Sequence, residues 1–558
     1  MLRSKLNAGS SPLTKDGSRL LACVTGAAVG LALALAILPV EFIAGNSGFW
    51  KQPKHDFFAY LIAWHYFLPD RWRFPLLDVP AMGYPEGGNL IYSDGLPVAQ
   101  LLSKAAHTAF GWSINPLGWW ILITYLLQGA LAARLVLAAG VRTPLGWIAA
   151  AILATACVPF MTRIFHVALS SHFVLLWALA LYFENIRARR FGGLEHFSLS
   201  ALTLLINAYL FVMVGFVQAV TVATLWWRER IQPRQLVRIA IGVALVFAIG
   251  IIIGYGRFVA DPGTMRASGF GIHSWNPTTL VLAPPGHWDY LPIVRIASLE
   301  QAEGESYLGL GALFVVAVVC VTRPRAAMRA VNQHRLLVIL FVLFLLYAAS
   351  NRIFVGARLL VEVPLPSLVD KLVGLFRASG RFVWVPGYAL VVLSIAAALK
   401  WLPRRAALTV ITLACALQLS EVGSTVQTFR PVLASPSENL LNVDQMRRWL
   451  SQHQRLFQFP SFSCQPPRTA DETFREFQIE LLAARLNVPN NSIYTARQLK
   501  NCGLEAVTMF KGNMDDGTLY VLKKGVLEQA PALVTLAQSP FCVDLEWALV
   551  CSRQPLRR

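Results

Sequence analysis

A polar stretch at residues 51–100 carries the carboxylates Asp56, Asp70, Asp78, Glu86 and Asp94 among Trp, Tyr and Phe side chains, the residues that settle at a membrane–water interface. The stretch is too polar to cross a bilayer, and an acid held there lies beside lipid without the cost of burial in it. A carboxylate at such a surface can accept a proton from a reacting group. Asp56 follows Pro53 and opens the apolar run 57–68, where a helix N-cap would also stand. Asp94 precedes Gly95 in YSDGLP, where a turn residue is also expected. Asp70, Asp78 and Glu86 read as solvated loop acids.

The complementary cations lie far away in sequence. Arg377 and Arg381 in LFRASGRF are spaced to share one face of a helix, and the planar guanidinium fork suits a phosphate. Arg163 and His166 open a further apolar run, with His172 inside it; ionisable groups at that depth are costly and mark functional sites, although a neutral His bonded between helices is the alternative. Glu305 and Tyr307 in ESYLGLG stand at the mouth of another run, as partners for Arg or sugar hydroxyls or as interface anchors.

The elements that must position these groups are membrane helices. Of 558 residues, 56% are apolar and 14% charged, against roughly 25% charged in a soluble domain, and the mean hydropathy is +0.53. The net charge of +19 sits in short basic clusters between apolar runs, the positive-inside pattern rather than a nucleic-acid footprint. Apolar length gives about 11 spans, at 20–43, 116–139, 145–160, 167–186, 196–211, 212–227, 237–256, 307–322, 335–349, 382–399 and 406–423, with the hairpin inside 196–227 marked by no strong turn signal. The first run is too long for a signal-peptide core and is expected to be retained. The expected organisation is a cytoplasmic N-terminus at 1–19, a transmembrane domain at 20–430 with the outward loop 44–115, and an outward α/β domain at 431–558.

In the tail, helices are expected at 442–454, 473–486 and 531–538, and strands at 455–459, 506–510, 519–523 and within 543–550. Four of the eight cysteines, Cys464, Cys502, Cys542 and Cys551, fall there, while Cys23, Cys157, Cys320 and Cys415 lie in apolar runs. An even set in one small domain points to disulfides and an oxidising compartment. Metal binding is the rival, but no pair has zinc-knuckle spacing. Cys464 with Cys502 and Cys542 with Cys551 is the simplest of three connectivities.

The order of these parts resembles the GT-C class of integral-membrane glycosyltransferases. More narrowly, HDFFAYLIAWHYF, GYPEGGNLIYSDGLP, HVALSSHFVLLWALALY, ESYLGLGALF and FRASGRFVWVPGY are similar to a bacterial membrane family, number 6311 among the domains of unknown function. The resemblance implies an α-helical polytopic GT-C-like fold in the bacterial inner membrane with a periplasmic tail. It also implies transfer of a hexosyl or pentosyl group from a polyprenyl-phosphate sugar to an envelope glycan or lipid acceptor. In such enzymes the base sits early in the first outward loop, a position that Asp56 matches, with Asp94 as second candidate and His55 beside it for substrate binding. Arg163, His166, His172, Glu305, Tyr307, Arg377 and Arg381 complete the candidate substrate-binding set. No cofactor is expected; a divalent cation held by convergent Asp56 and Asp94 has no further support, since the acids form no DxD. Phosphate-loop, HExxH and nucleophile-elbow motifs are absent. A transporter or flippase for lipid-linked saccharides and a non-catalytic envelope-assembly protein are the alternative readings. No internal repeat of the kind common in transporters is evident.

Overall fold

The structure is a computed structural model that describes residues 15–54, 56–93, 95–229, 231–256, 270–282, 296–464, 469–495, 514–525 and 540–556, with 502, 505 and 533. Helix α1, Lys15–Ile37, stops before Pro39, which lacks the N–H a continuing helix needs and disfavours helical geometry at the residue before it. Loop 44–115 then contains α2, Phe57–Phe67, and α3, Pro97–Phe110. The membrane bundle continues with α4, Leu117–Ala138; α5, Pro144–Thr155; α6, Phe173–Ala188; α7, Gly193–Leu204; α8, Ala208–Glu229; and α9, Pro233–Ile253. It closes with α10, Leu310–Thr322; α11, Pro324–Gln333; α12, Arg335–Ala349; α13, Trp384–Trp401; and α14, Arg404–Ala434.

Among the described residues, six helices are long and apolar enough to cross a bilayer, or up to eight if two sharply bent pairs each count as one span. The expectation of eleven needs α6, α7 and α12 as well, at 16, 12 and 15 residues, shorter than the roughly 20 that a full crossing takes. The expected hairpin inside 196–227 breaks earlier than the hydropathy suggested, between Leu204 and Ala208.

Close approach of backbones sets the first helix pair. A Cβ on Gly26 would collide with the carbonyl of Gly129, and one on Gly30 with the carbonyl of Tyr125; Gly26 and Gly30 form the small-xxx-small face that lets α1 lie against α4. At one end of this pair Arg134, almost wholly buried, donates to Glu184 at 2.7 Å and to Glu195 at 3.1 Å, and Glu195 also pairs with Arg19. The start of α1 and the start of α7 therefore share that end.

At the other end sits the tail. Helices Val443–Ser451 (α15) and Ala470–Arg485 (α16) pack on a four-stranded sheet of order β1-β2-β4-β3, where β1 is Arg455–Phe459, β2 Thr518–Lys523, β3 Cys542–Asp544 and β4 Ala548–Cys551. β1 runs parallel to β2 and the remaining pairs are antiparallel. Trp449, Leu450, Ile479, Leu519 and Val550 form the core between them. Helix α16 starts at Ala470 rather than Thr473 because Thr469 and Glu472 close a capping box around its first turn. Both expected disulfides are formed, Cys464–Cys502 and Cys542–Cys551. The expected strand at 506–510 and helix at 531–538 lie outside the described residues.

Loop 44–115 is clamped between bundle and tail. Ten of the eleven residues of α2 are buried, so its aromatic side chains do not lie at the lipid interface as their types suggested. A helix apolar on every side satisfies itself by packing on two partners: Phe58 stacks on Phe477 at 5.4 Å and meets Phe474 edge-on, and Tyr66 donates to the Val488 carbonyl at 2.6 Å. The N–H groups of Gly83 and Tyr84 donate to the Asn490 carbonyl, and the Asn490 N–H returns the bond to Ala81.

This placement predicts that reporter fusions at Gly193 and Gly525 give opposite signals, one cytoplasmic and one periplasmic; signals from the same side would overturn it. Cys542→Ser should destabilise the tail by about 2–4 kcal/mol, the usual worth of such a bridge, and leave the bundle assembled. Thiol labelling of the unreduced protein checks the framework, with the four tail cysteines expected to resist.

Candidate functional site

Beneath the tail lies a cavity of about 500 Å³. One wall is apolar, built by Ile206, Phe211, Val246, Phe247 and Ile251 from the start of α8 and the end of α9. Phe247 and Ile251 line it while staying 71% and 57% exposed, so this wall is open rather than enclosed. The opposite wall is polar, with Asp56, His166, Glu303, Arg377 and Arg381, and Tyr494 of the tail lines the same space.

Asp56 stands at the start of α2 but its side chain makes no capping bond; the helix is held by burial instead, and the carboxylate, about half exposed, faces the cavity. Its Oδ2 is 4.0 Å from His166 Nε2. His166 Nδ1 lies 2.9 Å from the Tyr60 hydroxyl, which already accepts the Ala168 N–H at 3.0 Å. That hydroxyl can bond Nδ1 of either tautomer, since it keeps a further lone pair beside its own O–H, and the ring is held with Nε2 on the Asp56 side.

Arg377 and Arg381 do not share a helical face. The chain runs through a short helical turn at Gly374–Phe376, bends at Arg377 and Ala378, and re-forms a turn at Ser379–Val383. The bend nevertheless turns both guanidiniums into the cavity wall. Arg381 donates to Glu303 Oε2 at 2.9 Å and lies 4.5 Å over the Tyr209 ring. Arg377 makes no hydrogen bond or ion pair among the described residues.

Glu303 was not singled out from sequence, yet it organises this wall. Arg163 donates to the same Oε2 at 3.1 Å and to the Ala302 carbonyl at 2.6 Å. Burial alone would raise the Glu303 carboxyl, but Arg381 and Arg163 outweigh it and hold the group well below the usual carboxylate range. The local signal lies in two glycines. A Cβ on Gly380 would fall 2.6 Å from the Gly304 Cα, so only their bareness lets the 300–305 loop lie on the 379–383 turn and bring Glu303 to Arg381. Among the described residues, Arg377, Arg381, Asp56 and Glu303 are the charged groups of this wall, with Arg163 behind it.

The remaining expected residues divide. Arg163 stands behind the wall, acting on the cavity through Glu303, with its guanidinium 5.4 Å from the Trp384 ring. His172 is outside the cavity, fully buried, with Nδ1 2.7 Å from the Tyr388 hydroxyl and its ring 4.2 Å from that of Trp384. Glu305 folds back to accept the N–H groups of Ser306 and Tyr307, while the Tyr307 hydroxyl donates to Glu421 at 2.8 Å; both serve the seam between α10 and α14 instead of the cavity. Asp78 accepts from Asn89, and Asp70 pairs with Arg73 at 2.6 Å. His55 and Asp94 lie outside the described residues, although Tyr92 and Gly95 on either side of Asp94 line the cavity. No cluster of three His, Cys, Asp or Glu suited to a metal ion occurs among the described residues.

No curated protein matches the chain. Among solved structures, the Archaeoglobus fulgidus oligosaccharyltransferase tethered to an acceptor peptide containing the NVT sequon is similar at 10% identity and TM-score 0.41, over 97% of this chain and 74% of that one. ArnT from Cupriavidus metallidurans in the apo state is similar at 14% identity and TM-score 0.42, over 96% and 97% of the two chains. A family model described as Domain of unknown function (DUF6311) matches residues 27–423, and one for the DUF6311 C-terminal domain matches 445–553. The chain thus belongs to the DUF6311 family.

Proposed function

We propose that this protein is an inverting glycosyltransferase that moves a sugar from a polyprenyl-phosphate donor to an acceptor hydroxyl at the periplasmic face of the bacterial inner membrane. The observation that carries the reading is one cavity in which an open apolar wall meets the Asp56 carboxylate and the Arg377 and Arg381 guanidiniums at one end. A polyprenyl chain fits the first and its phosphate the second.

In the transfer, the acceptor oxygen attacks the anomeric carbon from the face opposite the phosphate, and its proton passes to Asp56. The bond between the anomeric carbon and the phosphate oxygen breaks, and the electron pair leaves on the phosphate. Arg377 and Arg381 bind that phosphate and stabilise the charge that grows on it, while Glu303 and Arg163 fix the Arg381 fork. His166 Nε2 lies 4.0 Å from the Asp56 carboxylate, close enough to take part in orienting it. Tyr494 brings the tail to the same space, which supports a part for the tail in acceptor binding. A transporter would need a polar route through the bundle; the support for one is weaker, because His172 and Trp384 are packed together and buried behind Arg163.

Asp56→Asn should leave abundance and fold intact and lower transfer by about 10²–10⁴-fold, the usual worth of a general base. The measurement is sugar incorporation into envelope glycans, with Asp94→Asn alongside. Full activity in Asp56→Asn with a dead Asp94→Asn would move the base within the loop, and full activity in both would remove the enzyme reading.

Arg377→Lys keeps the charge but loses the fork. Because Arg377 holds no ion pair among the described residues, the change should weaken binding of polyprenyl phosphate about tenfold, within the worth of a charge-assisted hydrogen bond, without lowering thermal stability. Binding that is indifferent to the change would reject the role.

A further inference from the structure

A second cavity, of about 680 Å³, lies at the end of the bundle away from the tail. Helix α8 lines both: Tyr209 borders the first and Arg228 the second, about 29 Å apart at 1.5 Å per residue. That is close to the roughly 30 Å thickness of a bilayer's hydrocarbon core. The two cavities thus face opposite membrane surfaces.

The composition of the second cavity is unusual for a gap between helices. Phe183, Leu337, Phe341 and Leu393 make its inner wall apolar, while Arg187, Arg228, His334 and Lys400 also line it, and the described lining residues include no carboxylate. The cations are also crowded. The point where a Cβ on Gly140 would stand is 2.9 Å from Lys400 Nζ and 3.3 Å from an Arg187 Nη. Arg187 donates to the Ala138 carbonyl at 2.5 Å, Lys400 to the Ala139 carbonyl and Arg228 to the Gln333 carbonyl. These bonds cap the ends of α4 and α11 and use one donor of each side chain, whereas a guanidinium carries five and an ammonium three. A helix end leaves several carbonyls open, and Arg187 and Lys400 cap two of them at the end of α4; capping does not balance the two like charges gathered there, and their remaining donors suit an anion. The contrast with Arg134 at the same end is direct, since that guanidinium is matched by Glu184 and Glu195.

We propose that this cavity binds an anionic membrane phospholipid, its headgroup phosphate between Arg187 and Lys400 and its acyl chains along the apolar wall. A basic pocket between membrane helices with an apolar floor has the chemistry to hold such a lipid, and the surface it faces is the one where the basic loops gather.

The test uses the full chain in nanodiscs of phosphatidylglycerol and phosphatidylcholine, with a photoreactive benzophenone residue in place of Phe341. Phosphatidylglycerol should be captured in clear excess of its share of the membrane. Capture in proportion to membrane composition would overturn the proposal. In detergent, native mass spectrometry of phosphatidylglycerol binding should show affinity about tenfold weaker in Arg187→Gln/Lys400→Gln and unchanged in Arg325→Gln/Arg329→Gln, which removes the same charge from α11 outside the cavity. An equal loss in both double variants would reduce the effect to net charge and overturn the assignment. If the first variant fails to fold, Arg187→Lys/Lys400→Arg replaces it and must retain binding. Full displacement of the lipid by millimolar inorganic phosphate would show an anion site that does not need the acyl chains, and would also reject the lipid as its occupant.

Discussion

The interaction on which the rest depends is the single carboxylate oxygen of Glu303 shared by Arg163 and Arg381. It joins three segments that have no covalent proximity: the turn after α5, the loop before α10 and the entry to α13. Neither guanidinium could stand in a half-buried wall uncompensated, because desolvating an unpaired charge costs several kcal/mol. With Glu303 between them, one carboxylate oxygen compensates both guanidiniums and the wall is stable. Structure and electrostatics are set by the same contact, which is why Gly304 and Gly380, with no chemistry of their own, matter to the site.

The second constraint is the burial of α2 from both sides. A helix with the sequence FFAYLIAWHYF has no polar face to give to water, so it needs the bundle on one side and Phe474 and Phe477 of the tail on the other. Asp56 stands at the first turn of this helix and is therefore positioned by the tail as much as by the membrane domain. The disulfide at Cys464–Cys502 lies in the same region, with Cys464 two residues beyond Phe462, which packs on Phe477.

The parts of the architecture that were legible in the sequence are those fixed by local pattern. The strand at 455–459, the body of the helix expected at 473–486 and the segregation of four cysteines into the tail follow from alternation, helical periodicity and hydropathy within short windows, while the capping box that starts that helix at Ala470 was missed. The membrane helices were legible as apolar runs, but the break between α7 and α8 was not, since no Gly or Pro marks it. At the site, Asp56, His166, Arg377 and Arg381 were recognisable as residue types in unusual places. Their convergence was not, because Glu303 meets partners 140 and 78 residues away. His172 shows the reverse: an ionisable group in an apolar run has the same sequence signature whether it lines a cavity or bonds to Tyr388. The spacing of Arg377 and Arg381 suggested a helix face, and Ala378 to Gly380 broke it while leaving both groups aimed at one space.

The opening at Phe247 and Ile251 carries a kinetic consequence. A substrate that enters through it never passes through bulk water, so the encounter is a two-dimensional search within one leaflet. The governing concentration is then the mole fraction of substrate in that leaflet, not its amount per volume of solution. Diluting membranes with buffer would leave the rate per protein unchanged, while diluting the same membranes with inert lipid would lower it in proportion; a soluble acceptor reaching Asp56 from the tail side would follow ordinary bulk concentration. On the proposed reading, one cavity would couple two reactants that are counted on different scales.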